Sequence, residues 1–372
     1  MKLTIDRGAF IKALSHVQNV VERRNTIPIL SNVLLEADGT ALRLTATDLD
    51  IEASDSTIAH VEKPGSVTAP AQTLFDVVRK LPDGADIELM LDTESGRLSI
   101  KSGRSRFALP TLPSADFQTM SRDDVNHTFQ IEAAEFRRLI DKTRFAISTE
   151  ETRFYLNGIY LHGAEGDNGR VLRSVATDGH RLALAETKAP KGAEALPGII
   201  VPRKAVAEIR RLLDDAPEAV EVSASDSKIV VRAGDAVLVS KLIDGSFPDY
   251  TRVIPKANES IMLVDNAAFR SAVDRVATVS AERSRSVKLT VDDGKVVLQV
   301  TNAETGHGVE EVEAEFSAAP IEIGFNAKYL LDVAQQIEGE QARFEFGDAN
   351  SQARVIDPSD PSAQYVLMPL RV

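Results

Sequence analysis

Apolar residues recur every three to four positions in six stretches of the chain, and each reads as an amphipathic helix: 7–21, 71–81, 132–144, 203–213, 265–279 and 327–337. Phe10, Leu14 and Val17 fall on one side of the first; Phe136, Leu139 and Ile140 repeat that side in the third. Such a side is expected to pack on a sheet. Between the helices the period falls to two, as in residues 87–91 (IELML), 97–101 (RLSIK), 228–232 (KIVVR) and 295–300 (KVVLQV), which predicts strands. Turn signals at Asp38-Gly39, Ser95-Gly96, Asp244-Gly245 and Asp293-Gly294 separate them.

The same order of signals is written three times. IDRGAFIKALSHV (5–17), IEAAEFRRLIDKT (131–143) and VDNAAFRSAVDRV (264–276) each place a β-branched residue, an acid and a phenylalanine before a helical pattern. VTAPAQTLFDVVRKL (67–81), IIVPRKAVAEIRRLL (199–213) and IGFNAKYLLDVAQQI (323–337) form a second set. LTATD (44–48), SVATD (174–178) and QVTN (299–302) form a third, and FALP (107–110), SKLID (240–244) and VLMPL (366–370) close the repeats. Self-similarity at a period of roughly 120–130 residues means repeated structural units. The expected fold is α+β: three similar domains, each two helices packed on antiparallel sheets, with domains at 1–122, 123–256 and 257–372. The polar stretches 120–127 and 254–260 are the expected joints.

Composition changes the picture through charge. The 372 residues carry 43 Lys and Arg against 56 Asp and Glu, a net charge of −13, and no cysteine. Absent cysteine excludes disulfides, thiolate metal sites and a thiol nucleophile. Charge appears too early in the first ten residues for a secretory signal, and no apolar run reaches the roughly 18–20 residues of a membrane span, so a cytoplasmic protein is expected. The acidity is segregated. The six predicted helices hold 15 basic and eight acidic residues, leaving them positive and everything else strongly negative. Two positions after the repeat phenylalanine stand Lys12, Arg138 and Ser271; six positions after it stand His16, Lys142 and Arg275. Residues four apart share a helical side. Basic helices backed by acidic sheets suit a polyanion on the helical side. With no helix-turn-helix, zinc-finger or glycine-rich motif, contact with phosphate backbone is expected, without base readout.

Residues 175–184 (VATDGHRLAL) bring Asp178, His180 and Arg181 within four positions. Asp178 and His180 could serve a hydrolase as base and orienting group. That reading still needs a nucleophile or metal. The six histidines show no H-x-x-x-H or H-E-x-x-H spacing, and neither G-x-S-x-G nor a phosphate-binding loop occurs. The Thr-Asp pair also recurs at Thr47-Asp48, where no histidine follows, so a turn-capping acceptor is the simpler reading. A repeat scaffold that binds proteins and never DNA is a further alternative.

VATDGHRL (175–182), FYLNG (154–158), IVPRK (200–204), LIDGSFPDY (242–250), SGRSRF (102–107) and YVLMPLRV (365–372) resemble bacterial DNA polymerase III beta subunits, the sliding clamps. The resemblance runs in order from the first residue to the last. It implies a non-enzymatic processivity factor of DNA replication, a head-to-tail homodimeric ring with helices lining a channel for duplex DNA, needing no cofactor and no metal. Implied partners are double-stranded DNA held topologically, the replicative DNA polymerase, the clamp loader, and repair polymerases and mismatch-repair proteins that dock by short peptide motifs.

The residues matching the family's peptide-binding cleft are Leu156, Thr177, Gly179, His180, Arg181, Leu182, Pro248, Arg252, Val253, Asn326, Tyr329, Val366, Met368, Pro369, Leu370, Arg371 and Val372. Apolar side chains there would take hydrophobic anchors, with Arg181 fixing peptide polarity. Those expected to face DNA are Arg23, Arg24, Lys12, Arg79, Lys80, Arg138, Lys142, Phe154, Tyr155, Arg203, Lys204, Arg210 and Arg275. Phe107 and Leu109 against Thr278 and Val279 would close the dimer.

Overall fold

The computed structural model describes residues 1–22, 26–280 and 285–371. Arg23, Arg24 and Val372 lie outside the described residues. Among the described residues six α-helices occur: α1 (Arg7–Val17), α2 (Ala71–Lys80), α3 (Ala133–Asp141), α4 (Arg203–Leu212), α5 (Asn266–Ala277) and α6 (Ala327–Ala334). All six lie where the 3.6 period predicts them, and most end early. The stretch 7–21 stops at Val17 and continues as a single 3-10 turn, Gln18–Val20. The acid that opens two of the repeats is a helix cap: Asp6 accepts from the Ala9 amide at 2.9 Å and Asp265 from the Ala268 amide at 2.7 Å.

The predicted apolar sides are the buried sides. Phe10, Leu14 and Val17 of α1 are fully buried, Phe136, Leu139 and Ile140 of α3 nearly so, and α5 buries Phe269, Ala272, Val273 and Val276. Burying a phenylalanine of this kind contributes about 2–3 kcal/mol. α1 rests on the strands Ala41–Thr47 and Ile51–Ile58 and on α2; α5 rests on Lys295–Asn302, Gly306–Phe316 and α6. The Asp38-Gly39, Ser95-Gly96 and Asp293-Gly294 signals are turns between strands, whereas Asp244-Gly245 falls in the irregular connector after the strand Ala236–Lys241.

The chain forms two compact units. The first comprises Met1–Arg137, Pro190–Pro197 and Lys204–Ile243; the second comprises Arg138–Ala189, Gly198–Arg203 and Asp244–Val372. They divide the chain differently from the sequence repeats because sheets run through the repeat joints. Within the first unit, Ala236–Lys241 of the second repeat adds antiparallel onto Ile51–Ile58 of the first, with Ser240 opposite Ile51 and Val237 opposite Ser54. The result is an eight-stranded sheet beside a five-stranded one. Within the second unit, Asp360–Leu367 of the third repeat adds onto Arg181–Lys188 of the second, with Val366 opposite Leu182, in a twelve-stranded sheet. Every pairing is antiparallel, which lets the alternating segments bury one side chain in two.

Candidate functional site

The Thr-Asp turn of the second unit is built by its own side chains. Asp178 Oδ1 accepts the amides of His180 (2.9 Å) and Arg181 (3.0 Å), while the Thr177 hydroxyl donates to the Arg181 carbonyl at 2.6 Å and accepts from the Gly179 amide at 3.1 Å. Gly179 sits at φ +86°, a conformation that glycine adopts without steric cost. The first unit repeats the device bond for bond. Asp48 Oδ1 accepts from Asp50 (2.9 Å) and Ile51 (2.7 Å), and Thr47 bonds Ile51 and Leu49, with Leu49 at φ +75°. Asp178 is therefore a turn-forming acceptor, and the hydrolase reading falls with it. Its other oxygen is also taken, by Arg181 Nε at 3.1 Å.

Arg181 departs from its expected role. Its side chain is only 7% exposed, donating from Nη1 to Asp332 at 2.5 Å and from Nη2 to the Phe145 carbonyl at 2.7 Å. The guanidinium lies between two rings, 4.5 Å from the Tyr329 centroid and 5.1 Å from that of Phe145. A peptide cannot use donors already committed in this way. What Arg181 does is tie the turn to α6, which carries Tyr329 and Asp332. Tyr329 stands half-buried with its ring parallel to exposed His180, centroids 6.3 Å apart. Burial, reinforced by Asp178, raises the Tyr329 phenol above its ordinary pKa, so it stays a neutral donor.

Beside this wall is an apolar floor. Val175, Leu182, Leu184, Tyr250 and Val366 form one buried cluster, against which Tyr160, Phe247, Val253 and Ile254 pack while partly exposed. The register explains it: Leu182 lies opposite Val366 and Leu184 opposite Val175, so alternate residues of three strands share a face. Tyr160 and Phe247 stack with centroids 4.8 Å apart. The C-terminal segment is pinned alongside, its Met368 amide donating to the His180 carbonyl at 2.9 Å and its Leu370 amide to Gly324 at 2.8 Å. Met368, Pro369 and Leu370 remain half-buried and Arg371 exposed. Of the other expected cleft residues, Leu156 is buried, Asn326 caps α6 through Lys328, Pro248 is exposed, and Arg252 is paired with Asp249 at 2.8 Å.

Tyr250 is held from behind. Its hydroxyl receives Arg173 Nη1 at 3.0 Å and lies 3.0 Å from His162 Nε2, while Nδ1 of that ring meets the Gly163 carbonyl at 2.9 Å. Burial first, and then the Arg173 charge, lowers the His162 pKa, so the fold favours neutral imidazole. His16 behaves oppositely, because its bond to Asp55 raises its pKa. Below the ordinary histidine value of about 6.5 the unfolded chain binds the proton that folded His162 refuses, so stability falls as pH falls. The His16 contribution is complete below that value and fades as pH rises through its raised pKa. Melting curves from pH 5 to 9 should show His162→Gln flattening the acid limb and His16→Gln the alkaline limb. The same flattening from both variants would contradict the assignment.

The basic residues divide. Lys12, Arg79, Lys80 and Arg203 are exposed. Lys142 is buried, 4% exposed, with its ammonium on the Gln336 carbonyl (2.6 Å) and Glu338 (2.7 Å), so the expectation that it faces DNA is corrected. Arg138 is likewise turned inward, onto Asp360, Ser362 and the Glu186 carbonyl. Lys204 pairs with Asp48 and Glu22, Arg210 with Asp214, and Arg275 with Glu310. Phe154 is half exposed and meets Tyr155 edge-on at 5.7 Å. Phe107 is 41% exposed and Leu109 buried; Thr278 is exposed and Val279 half-buried.

Family profiles match the chain almost end to end: the DNA polymerase III beta subunit N-terminal domain over residues 1–121, its central domain over 130–249 and its C-terminal domain over 251–371. This chain belongs to that family. The beta sliding clamp of Caulobacter vibrioides is 58% identical over 372 residues and that of Escherichia coli K12 39% over 376, each covering 100% of both chains. A crystal structure of the Caulobacter crescentus beta sliding clamp has a TM-score of 0.97 at 58% identity, covering 100% of this chain and 99% of that one. The Bartonella birtlesii sliding clamp bound to griselimycin has a TM-score of 0.96 at 46% identity, covering all of both chains. Sliding clamps are non-catalytic subunits, which agrees with the structural use made of Asp178. Among the described residues no cluster of three or more His, Asp or Glu could hold a metal ion, and no helix is long and apolar enough to cross a membrane.

Sequence reasoning missed six residues of the sliding-clamp floor: Tyr160, Val175, Leu184, Phe247, Tyr250 and Ile254. Leu184 was within reach, being two positions from Leu182 on one strand and hence on the same face. Nothing local marks the Tyr160–Phe247 stack, whose members are 87 positions apart.

Proposed function

We propose that this chain is a cytoplasmic processivity clamp: two copies close head to tail around duplex DNA, and the apolar floor with its Tyr329 and Met368 walls holds short peptides of the replicative polymerase, the clamp loader and repair proteins. The domains on this reading are 1–122, 123–256 and 257–372.

The observation that carries it is an unused sheet edge. At both joints inside the chain, the last strand of one repeat adds onto the preceding repeat. The equivalent strand of the first repeat, Ser105–Pro110, is the edge of its sheet, with Phe107 41% exposed upon it. The matching acceptor is the stretch 306–313 of the strand Gly306–Phe316 in the third repeat, which pairs on one side with Lys295–Asn302 while only residues 314–316 meet Ser260–Asp265 on the other; Val309 there is 56% exposed and Val279 lies over Gly308. One edge carries Arg106, with Arg104 in the turn just before it, the other Glu310, Glu311 and Glu313, and such edges invite pairing. Pairing them in a second copy continues the rule already used twice. Retention by closure needs few phosphate contacts, which suits an acidic protein whose helices carry net positive charge.

The peptide site rests on the partly exposed apolar side chains Tyr160, Phe247, Val253 and Ile254 packed over a buried apolar cluster, chemistry suited to a shared docking site. Half-buried Met368 gives it an adaptable wall. The test is topological. The protein is loaded with its loader and ATP onto nicked circular DNA, the circle is cut once, and retention is followed by gel filtration. Loss on linearisation is expected; equal retention on circle and line would leave only contact binding and favour the scaffold reading.

A further inference from the structure

Six residues after its phenylalanine each repeat places a cationic side chain or imidazole, and at two of the three positions that group bridges to the next repeat. In the first unit, His16 Nδ1 lies 2.7 Å from Asp55 on the strand Ile51–Ile58 of its own repeat. Its Nε2 lies 3.5 Å from Asp215, just past α4 in the second repeat. Both ring nitrogens face carboxylates, the arrangement an imidazolium satisfies. In the second unit, Lys142 reaches the Gln336 carbonyl and Glu338, just past α6 in the third repeat. The rule is a basic side chain on or just past the first helix reaching toward the acid that follows the second helix of the next repeat.

The third repeat carries half of this clasp. Arg275 Nε and Nη2 hold Glu310 at 2.9 and 2.8 Å. Glu310 is the structural counterpart of Asp55: Thr47 faces Glu52 as Thr301 faces His307, and each acid lies three residues further along its strand. The 372 residues hold three repeats. The residue equivalent to Asp215 in the first repeat is Asp83, two positions after Leu81 as Asp215 is two after Leu213. The Asp83 side chain is 93% exposed and its structural partner is Arg7, at 2.7 Å; the Arg275 side chain is 58% exposed. A guanidinium has five N–H donors, so one bound through Nε and Nη2 still presents its Nη1 edge to a second carboxylate.

We propose that Asp83 of a second copy completes the Arg275–Glu310 clasp, joining the third repeat of one chain to the first repeat of the next. The inference rests on the two-copy, head-to-tail reading and adds to it the ion pair that registers the joint. A closed pair of chains has two such joints, so the contact counts twice.

The experiment is a double-mutant cycle on the dimer dissociation constant with Arg275→Ala, Asp83→Ala and the double variant, read by sedimentation equilibrium. A partly exposed ion pair should give a coupling of about threefold per joint, roughly tenfold for the closed pair. Charge exchange supplies the second readout: chains bearing Arg275→Glu mixed with chains bearing Asp83→Arg should form mixed pairs in preference to either like pair, measured by native mass spectrometry. Mixed pairing places the reversed ion pair at one joint and the native one at the other. If wild-type chains pair but the two alanine effects simply add and mixing is random, the clasp is wrong and the two-copy reading stands. If wild-type chains remain monomeric at about ten micromolar, a concentration far above that of a specific interface, both are overturned.

Discussion

Arg181→Met is expected to lower the unfolding free energy by about 3 kcal/mol, near the low end for breaking a buried ion pair. It should also weaken binding of an apolar peptide to the cleft by about tenfold, the equivalent of roughly 1.4 kcal/mol. The substitution fills similar volume but leaves Asp178 and Asp332, 17% and 23% exposed, facing one another without a cation. It also removes the plate on which Tyr329 lies. Partial exposure of the two carboxylates keeps the cost toward the low end. Urea denaturation gives the first quantity and anisotropy of a labelled peptide the second. Arg181→Lys restores charge without the planar fork, so it should recover stability better than it recovers binding. Peptide affinity unchanged in Arg181→Met, with the protein destabilised, would mean that Tyr329 does not need this support.

The second large effect separates two groups of cations that composition cannot distinguish. Replacing Lys12, Arg79, Lys80 and Arg203 together by alanine should reduce the slope of log affinity against log salt on duplex DNA by about 3–4, since each phosphate contact contributes about 0.9. Stability should barely change, because exposed side chains with weak pairs contribute little to it. Lys142→Ala should do the reverse. Its ammonium is buried on a carbonyl and a carboxylate, so its loss should cost about 2 kcal/mol and leave the salt slope as it was. The two sets are read by the same pair of measurements, denaturation midpoint and salt-dependent anisotropy. A reduced slope in Lys142→Ala would place that ammonium on DNA after all.

Much of the fold was legible locally. Helix positions, their buried sides and the strand segments follow from spacing alone, because the 3.6 and 2.0 periods record which face meets the core. Helix ends were less legible: apolar spacing at Val20 and Val21 continues the pattern of α1, while the backbone tightens into a 3-10 turn after Val17. The Asp178 turn was legible as well, since its copy at Asp48 lacks the histidine and keeps every bond. The proposed peptide site was half legible. Leu182, Val253 and Val366 do meet in one cluster, but Arg181 turned inward, toward Asp332, 151 positions away.

By itself, then, the sequence determined the triplication, the amphipathic helices, the capping acids and the segregation of positive charge onto helices, all properties of residues within a few positions of one another. The tertiary structure decided what each charge does. Lys12 lies on α1 and Lys142 one residue past the end of the equivalent α3, yet Lys12 is exposed and Lys142 buried. The difference is whether an acid from the following repeat comes within hydrogen-bonding reach. That is set by strands pairing across repeat joints, Leu182 with Val366 and Ile51 with Ser240, at separations over which local periodicity carries no information.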